Sequence, residues 1–411
     1  MFQNHHPFAY RRALAGCCAI AGLWLVGTGT APGQQTTQYE CDLAVVGGGL
    51  GGVAAALEGL RAGHKVCLTE MTDWLGGQVS QQGVAALDED TVQRREELFP
   101  RGYREFRALV RGRYGEPNPG RCWVSTLCFS PQTGALVLEK MLEPYRESGQ
   151  LVLLKDTVVK TLDVEGAQVR AVVALTHVSK NPQRDANSLP LSHFIEDWYA
   201  PESSALFEKR QVRLVPPAAK RGGAASWVVI DATETGELLP LAGVPYRLGT
   251  ERRTPWEPGA SAAGADPYCT QSFTYSFAVE KTGARQSFPR PANYESPFNK
   301  PGYSYEKDTF TFGGIFTYRR IKSSLDLQSL PERLSENTLP LGEQSVLNWT
   351  WGNDWRLSTA TDNLVLTQAQ LESGGQLPTR TWWGGTSPGN WRGGLRPSAL
   401  AAAEAHAFGF Y

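Results

Sequence analysis

The chain has 411 residues, 41% of them apolar and 20% charged, and its 40 Lys+Arg against 41 Asp+Glu leave a net charge of −1. That length corresponds to roughly two to three domains with apolar residues enough for a sizeable core, which excludes disorder as the main state. The charge balance excludes a global basic field for nucleic acid, and seven cysteines in so long a chain exclude a disulfide scaffold.

The first 33 residues read as a leader. Arg11 and Arg12 precede a mostly apolar run from Ala13 to Val26, and Ala31 and Gly33 take the minus-three and minus-one places before Gln34. This order of charge, apolar core and small residues is that of an export signal, with an uncleaved anchor or a mis-chosen start (and then a cytoplasmic chain) as alternatives. The Arg11-Arg12 pair also admits a twin-arginine signal, which would allow a cofactor to be bound before export. Leu14-Ala15-Gly16-Cys17 has the letters of a lipoprotein box but lies before most of the apolar run instead of after it. No later stretch reaches the ~20 apolar residues of a membrane span. The expectation is an exported protein with no membrane contact beyond a possible N-terminal anchor.

Residues 41–46 form a short apolar strand pattern. Leu50, Val53, Leu57 and Leu60 recur at helical spacing, Gly63 ends that helix, and Lys65 to Thr69 is a second strand. Val92 to Gly115 reads as helix interrupted by Pro100, and Thr133 to Tyr145 as another. Leu151 to Asp163 and Gln168 to Val178 read as a hairpin. Asn181 to Gly223 shows no clean period and is expected to be an insertion or long loop. Trp227 to Ile230 is a strand. From Val244 to about Asn390 the pattern is turn-rich with short strands, and Leu400 to Phe410 is an alanine-rich helix. The expected division is a leader (1–33), a nucleotide domain (34–243, with the insertion 181–223), a second domain inserted in it (244–390), and a return helix (391–411).

Gly47, Gly49 and Gly52 fit G-x-G-x-x-G between the first strand and the first helix. The first glycine permits the tight turn, the second lets backbone approach a pyrophosphate, and the third lets helix pack on strand. The helix N-terminus then offers free N–H groups to phosphate. Glu70 closes the second strand 18 residues after Gly52, where it accepts hydrogen bonds from a ribose. This context makes the segment a dinucleotide site, and the fingerprint itself does not separate NAD from FAD.

A second glycine pair, Gly76-Gly77, follows in Met71-Thr72-Asp73-Trp74-Leu75-Gly76-Gly77-Gln78. This arrangement resembles the FAD-binding oxidoreductases of the glutathione-reductase-like superfamily. Their later apolar strand ending in Ala-Thr-Gly is echoed by Val228 to Thr233, although Glu234 and Thr235 intervene before Gly236. Within that superfamily the chain is similar to a group of bacterial FAD-dependent oxidoreductases, sometimes called xanthan-lyase-like. The similarity rests on Thr69 to Gln78, Arg121-Cys122-Trp123-Val124-Ser125, Asp231 to Gly243, Phe273 to Glu280, and Asn348 to Asp354. The resemblance implies a Rossmann-like α/β FAD domain with a β-hairpin or meander and an inserted α+β substrate domain. It implies FAD as cofactor, a small-molecule substrate, and Ala232, Thr233 and Gly236 beside the cofactor with Gly47, Gly49, Gly52, Glu70, Gly76 and Gly77. It also implies a final FAD-domain strand after residue 411, so the expectation is a truncated chain, with a separate chain or reordered strand as the alternative.

In such a protein the flavin performs the redox step and the chain supplies orientation and electrostatics. No catalytic residue is assigned. His177, His193 and His406 read as structural or surface residues, while Tyr275, Tyr318, Arg319 and Arg320 are candidates for contact with an anionic or hydroxylated substrate. Arg104, Arg107 and Arg111 read as a solvated helix face. Trp349, Trp351, Trp355, Trp382, Trp383 and Trp391 read as packing of a β-rich domain, with glycan binding as the alternative. Cys41 and Cys67 are expected as buried thiols, and Cys122 and Cys128, with spacing of neither a redox CxxC nor a zinc pair, as packing, with a disulfide as the lesser alternative. A non-catalytic homologue unable to retain FAD and an exported glycan-binding module are the competing functions.

Overall fold

Strands β2 (Leu43–Val46) and β3 (Val66–Thr69) are apolar on both faces, so both faces need a covering layer. Side-chain alternation divides them: Val45, Val66 and Leu68 face a cluster with the helices, whereas Ala44, Val46 and Cys67 face a second sheet. The computed structural model describes residues 36–96, 98–181, 190–218, 227–292, 294–296, 299–307, 310–325, 331–355, 363–373 and 391–411. The leader lies outside these residues, as do Trp382 and Trp383.

Helix α1 (Leu50–Arg61) follows β2 directly, buries Gly52, Val53, Ala56, Leu57 and Leu60, and returns the chain to β3. Strands β4 (Leu151–Leu154) and β8 (Val228–Asp231) complete a four-stranded sheet in the order β4-β3-β2-β8, paired parallel throughout. Helices α3 (Arg101–Tyr114) and α4 (Pro131–Glu147) join α1 on one face, with Phe106, Val110, Leu138 and Leu142 in the shared core. Pro100 separates the short α2 (Thr91–Glu96) from α3, as the sequence required.

The other face is covered by a sheet in the order β1-β7-β6-β5, formed by β1 (Thr37–Glu40), β5 (Thr157–Glu165), β6 (Gln168–Ser179) and β7 (Phe207–Val215). The expected hairpin is β5 and β6, paired antiparallel. Its first strand pattern is in fact two strands. The chain breaks at Asp156, which adopts φ 51°, so β4 joins the parallel sheet and β5 the edge of the other.

The long-loop reading of 181–223 is corrected. Among its described residues it contains α5 (Ile195–Tyr199) and the nine-residue β7, which pairs antiparallel with β6 and parallel with β1. Lys209 and four other charged or polar side chains interrupt the apolar signal of β7. Lys209 is nevertheless buried, its Nζ donating to the Asp197 carboxylate at 2.7 Å and to the Ala200 carbonyl at 2.7 Å. The strand is specified by partners distant in sequence.

The cysteine reading is also corrected. Cys41 and Cys67 form a disulfide between the parallel sheet and the meander, and Cys122 and Cys128 form a second. Spacing could not show the first, because its cysteines meet only when the chain entering β2 lies beside β3.

Beyond β8 and the short α6 (Leu238–Ala242), strands β10 (Phe277–Glu280), β11 (Arg320–Lys322) and β12 (Gln344–Leu347) form a three-stranded sheet in the order β10-β12-β11. Strands β9 (Phe273–Thr274) and β13 (Asp354–Trp355) form a separate pair. The last helix, α7 (Pro397–Phe410), places Phe410 in a core with Tyr294, Tyr303, Leu347 and Trp349. Trp349, Trp355 and Trp391 are buried, as the packing reading required, whereas Trp351 is exposed and stacks on Phe310. Among the described residues, no helix is long and apolar enough to cross a membrane.

The two disulfides are checked by peptide mapping without reduction, which is expected to recover Cys41 linked to Cys67 and Cys122 linked to Cys128. Replacing Cys41 and Cys67 together by serine is expected to lower the unfolding free energy by about 2–4 kcal/mol in denaturant titration.

Candidate FAD site

The turn after β2 is made of backbone packed on backbone. Gly47 has φ 99°, and a Cβ there would overlap the carbonyl of Ala232 at the end of β8. A Cβ on Gly52 would overlap the carbonyl oxygen of Gly47, so α1 reaches the turn only because residue 52 has no side chain. Helix α1 begins with Gly49 as its N-cap, with no side-chain cap and no acidic residue in its first turn. Gly51 is exposed, and its Cβ position has no neighbour within 4 Å. The first turn therefore has no side-chain cap and is open at Gly51, as an anion requires.

Two further segments converge there. Gly76 donates its N–H to the Gly48 carbonyl at 2.8 Å, and Gly49 and Gly76 form an isolated parallel bridge. The second glycine pair is thus laid against the first, with Gly77 opening a single 3-10 turn over Gly77–Val79. Ala232 packs on Gly47, and Thr233 follows in a turn organised by Asp231. The Asp231 carboxylate accepts from the Thr233 N–H at 3.0 Å, the Thr233 hydroxyl at 2.7 Å and the Leu238 N–H at 2.9 Å. Gly236, at φ 66°, completes the turn into α6.

Glu70 lies at the end of β3, as expected, but it is buried and well engaged. Its Oε2 accepts the Gly48 N–H at 3.0 Å, and its Oε1 accepts the N–H and hydroxyl of Thr72, each at 2.9 Å, and Gln81 Nε2 at 3.3 Å. Burial pushes its pKa up to about 7 against the opposing pull of these donors, with the Glu234 charge adding to the rise. The break at Asp156 fixes its backbone: Thr157 N–H donates to the Glu70 carbonyl at 2.8 Å and Asp156 N–H to that of Thr72 at 3.0 Å.

Sequence reasoning missed a buried polar contact that docks the later chain on this site. Tyr199 donates its hydroxyl to Glu237 Oε2 at 2.8 Å, and both press on Gly393, where a Cβ would lie 2.6 Å from that oxygen. Thr235 donates to the Gly393 carbonyl at 3.3 Å, and the buried Lys160 donates to the Trp391 carbonyl at 2.8 Å. Burial raises the Glu237 pKa to about 7, with Asp231 contributing, and lowers that of Lys160 to about 8. The only sequence signal was Glu237 in the strand-ending motif itself.

The other singled-out residues are engaged by protein partners. His177 is buried and stacked on Trp198, with ring nitrogens 2.8 Å from the Asp156 carbonyl and 2.7 Å from the Trp198 carbonyl. His193 pairs with Glu404 at 2.7 Å, and His406 Nδ1 lies 2.7 Å from Asn299 Oδ1. The Tyr275 and Ser192 hydroxyls are hydrogen-bonded to each other at 2.6 Å. Tyr318 lies edge-on to both Trp123 and Trp349, and Arg319, just before β11, and Arg320, its first residue, are buried. Arg107 is not simply solvated: its Nε and Nη2 donate to the Glu89 carboxylate at 2.7 and 3.1 Å. Among the described residues, no group of three or more His, Cys, Asp or Glu is placed to hold a metal ion.

An uncapped helix after a glycine turn, an acid closing the neighbouring strand and a parallel sheet define a dinucleotide-binding α/β fold. A profile of the family described as FAD dependent oxidoreductase matches residues 42–184 and 209–378. The chain belongs to this family, and its cofactor is FAD. No curated protein matches it significantly. Among solved structures it is similar to a flavoprotein/dehydrogenase from Cytophaga hutchinsonii (16% identity, TM-score 0.28, covering 52% of this chain and 44% of that one). It is also similar to a geranylgeranyl bacteriochlorophyll reductase-like protein from Thermoplasma acidophilum (13% identity, TM-score 0.26, 53% and 49%). A third is L-proline dehydrogenase from P. horikoshii (13% identity, TM-score 0.22, 44% and 22%). The matched parts span less than half of each of these chains.

The raised acids give the FAD-free protein a defined pH response. An acid whose folded pKa exceeds its unfolded one stabilises fully below the unfolded value, and that contribution is lost as pH rises through about 7. Glu237→Gln keeps an acceptor for Tyr199 and does not ionise. Calorimetry from about pH 5 to about pH 8 is expected to show a smaller fall in melting temperature for this variant than for the wild type.

Proposed function

We propose that the chain is an exported flavoenzyme that moves a hydride or an electron pair between a small-molecule substrate and FAD. The observation that carries the reading is the convergence of 47–52, 70–77 and 232–236 on the uncapped start of α1. In this reading the N–H groups of Leu50, Gly51 and Gly52 face the diphosphate of FAD. Glu70 accepts from the ribose: its Oε2 carries one protein donor and has a lone pair for a second. Gly76, Gly77, Ala232, Thr233 and Gly236 let backbone lie close along the cofactor. When bound, the flavin supplies reversible acceptance of a hydride or two electrons.

The segment 244–390 is the proposed substrate side. Ser276 and Val346 lie beside Gly83, where a Cβ would be 3.7 Å from each, and Gly83 follows the second glycine pair by six residues. The sheet β10-β12-β11 is thereby set against the loop that leaves the nucleotide turn. Export is supported by the two disulfides, which persist in oxidising compartments and are rare in the cytosol.

Purified protein is expected to show the visible absorption of oxidised flavin, bleached by dithionite, and to release FAD on acid denaturation. A colourless, folded chain that binds no added FAD refutes the reading. Glu70→Ala is expected to weaken FAD binding about ten-fold or more, as loss of a charge-assisted acceptor implies, with the circular dichroism spectrum unchanged.

A further inference from the structure

The turn after β8 is satisfied internally except at one place. Asp231 caps it, the Thr233 hydroxyl accepts the Glu237 N–H at 3.0 Å, and Thr235 is tied to Gly393. Glu234, one of the two residues that separate this motif from Ala-Thr-Gly, is exposed and reaches the other way, across the glycine cradle. Its Oε1 accepts a hydrogen bond from Gln82 Nε2 at 2.9 Å, a contact between segments 152 residues apart. The same oxygen lies 2.9 Å from the Cβ position of Gly77 and 3.2 Å from that of Gly49, the N-cap of α1. A carboxylate therefore stands in the angle between the two glycine segments, at the positive end of a helix with no acid of its own.

We propose that Glu234, latched by Gln82, is an internal anion that fills the mouth of the diphosphate cradle in the FAD-free chain and is displaced when FAD binds. The inference rests on reading residues 47–52 as the diphosphate site. Two anions do not share one helix terminus: the FAD diphosphate brings further negative charge to where the carboxylate already stands. Glu234 must rotate away, breaking its bond to Gln82, before phosphate oxygens reach the first-turn N–H groups. Glu234 thus lowers the affinity of the site for any diphosphate and leaves recognition of the adenosine part untouched. Its charge is also one of the causes that hold the Glu70 pKa up across the same cradle.

The test is equilibrium binding to the full chain stripped of FAD, for wild type, Glu234→Gln, Glu234→Ala and Gln82→Ala. The probes are FAD, ADP and adenosine, and circular dichroism checks folding. Both Glu234 variants are expected to bind FAD and ADP about three- to ten-fold more tightly than wild type, with adenosine unchanged. Gln82→Ala, which frees the carboxylate without removing it, is expected to give a smaller gain. Unchanged or weaker FAD and ADP binding in both Glu234 variants overturns the inference, the weaker case making Glu234 a holding ligand. Equal gains for adenosine overturn it too, since the effect would not then act on phosphate. Failure of every folded variant to bind FAD or ADP overturns the cofactor reading itself, a result distinct from the others.

Discussion

The structure turns on the contact between the Gly47 turn, the carbonyl of Ala232 and the first turn of α1. Three backbones meet there, with only the Ala232 methyl group beside Gly52. The meeting aims α1 so that its unsatisfied N–H groups face outward, and it brings the ends of β2 and β8 together beside them. It also sets the place of Glu70, because β3 pairs with β2 in parallel register and ends level with it. A side chain at Gly47 or Gly52 would have to separate these elements, and the anion site would go with them.

The layers on either side hold that contact rigid. Helices α1, α3 and α4 cover one face of the parallel sheet, and the mixed sheet β1-β7-β6-β5 covers the other, with the Cys41–Cys67 disulfide crossing between the layers. The later chain is locked to the same place through Tyr199, Glu237 and Gly393. Burying a carboxyl there is tolerable because it holds its proton near neutrality and accepts from a phenol, so little net charge is taken out of water. The acids around the cradle divide by environment. Asp231 is spent on capping a turn, Glu70 and Glu237 are buried with raised pKa values, and Glu234 keeps to the surface over the glycines.

Much of the nucleotide half is legible in the sequence alone. The glycine spacing, the helical period of Val53, Leu57 and Leu60, and the acid after β3 are local signals, and each fell where expected. Other features were not legible because their causes are long-range. The charged strand β7 forms by pairing with β6 and β1, the pattern from Leu151 to Asp163 divides at a single left-handed residue, and Cys41 reaches Cys67 only across paired strands. Buried tryptophans at 349, 355 and 391 followed the packing reading, while the burial of Arg319 and Arg320 was invisible in composition.

What the sequence determined by itself was the dinucleotide turn and the family, since a turn that demands glycine and a helix that demands periodicity are written in neighbouring residues. Only the tertiary structure decided which side chains face that turn. Glu234 and Gln82 meet over it, and Glu237 and Tyr199 meet behind it, because separate strands and loops carry each partner to the same point. Such meetings depend on how layers pack, and no local period encodes them.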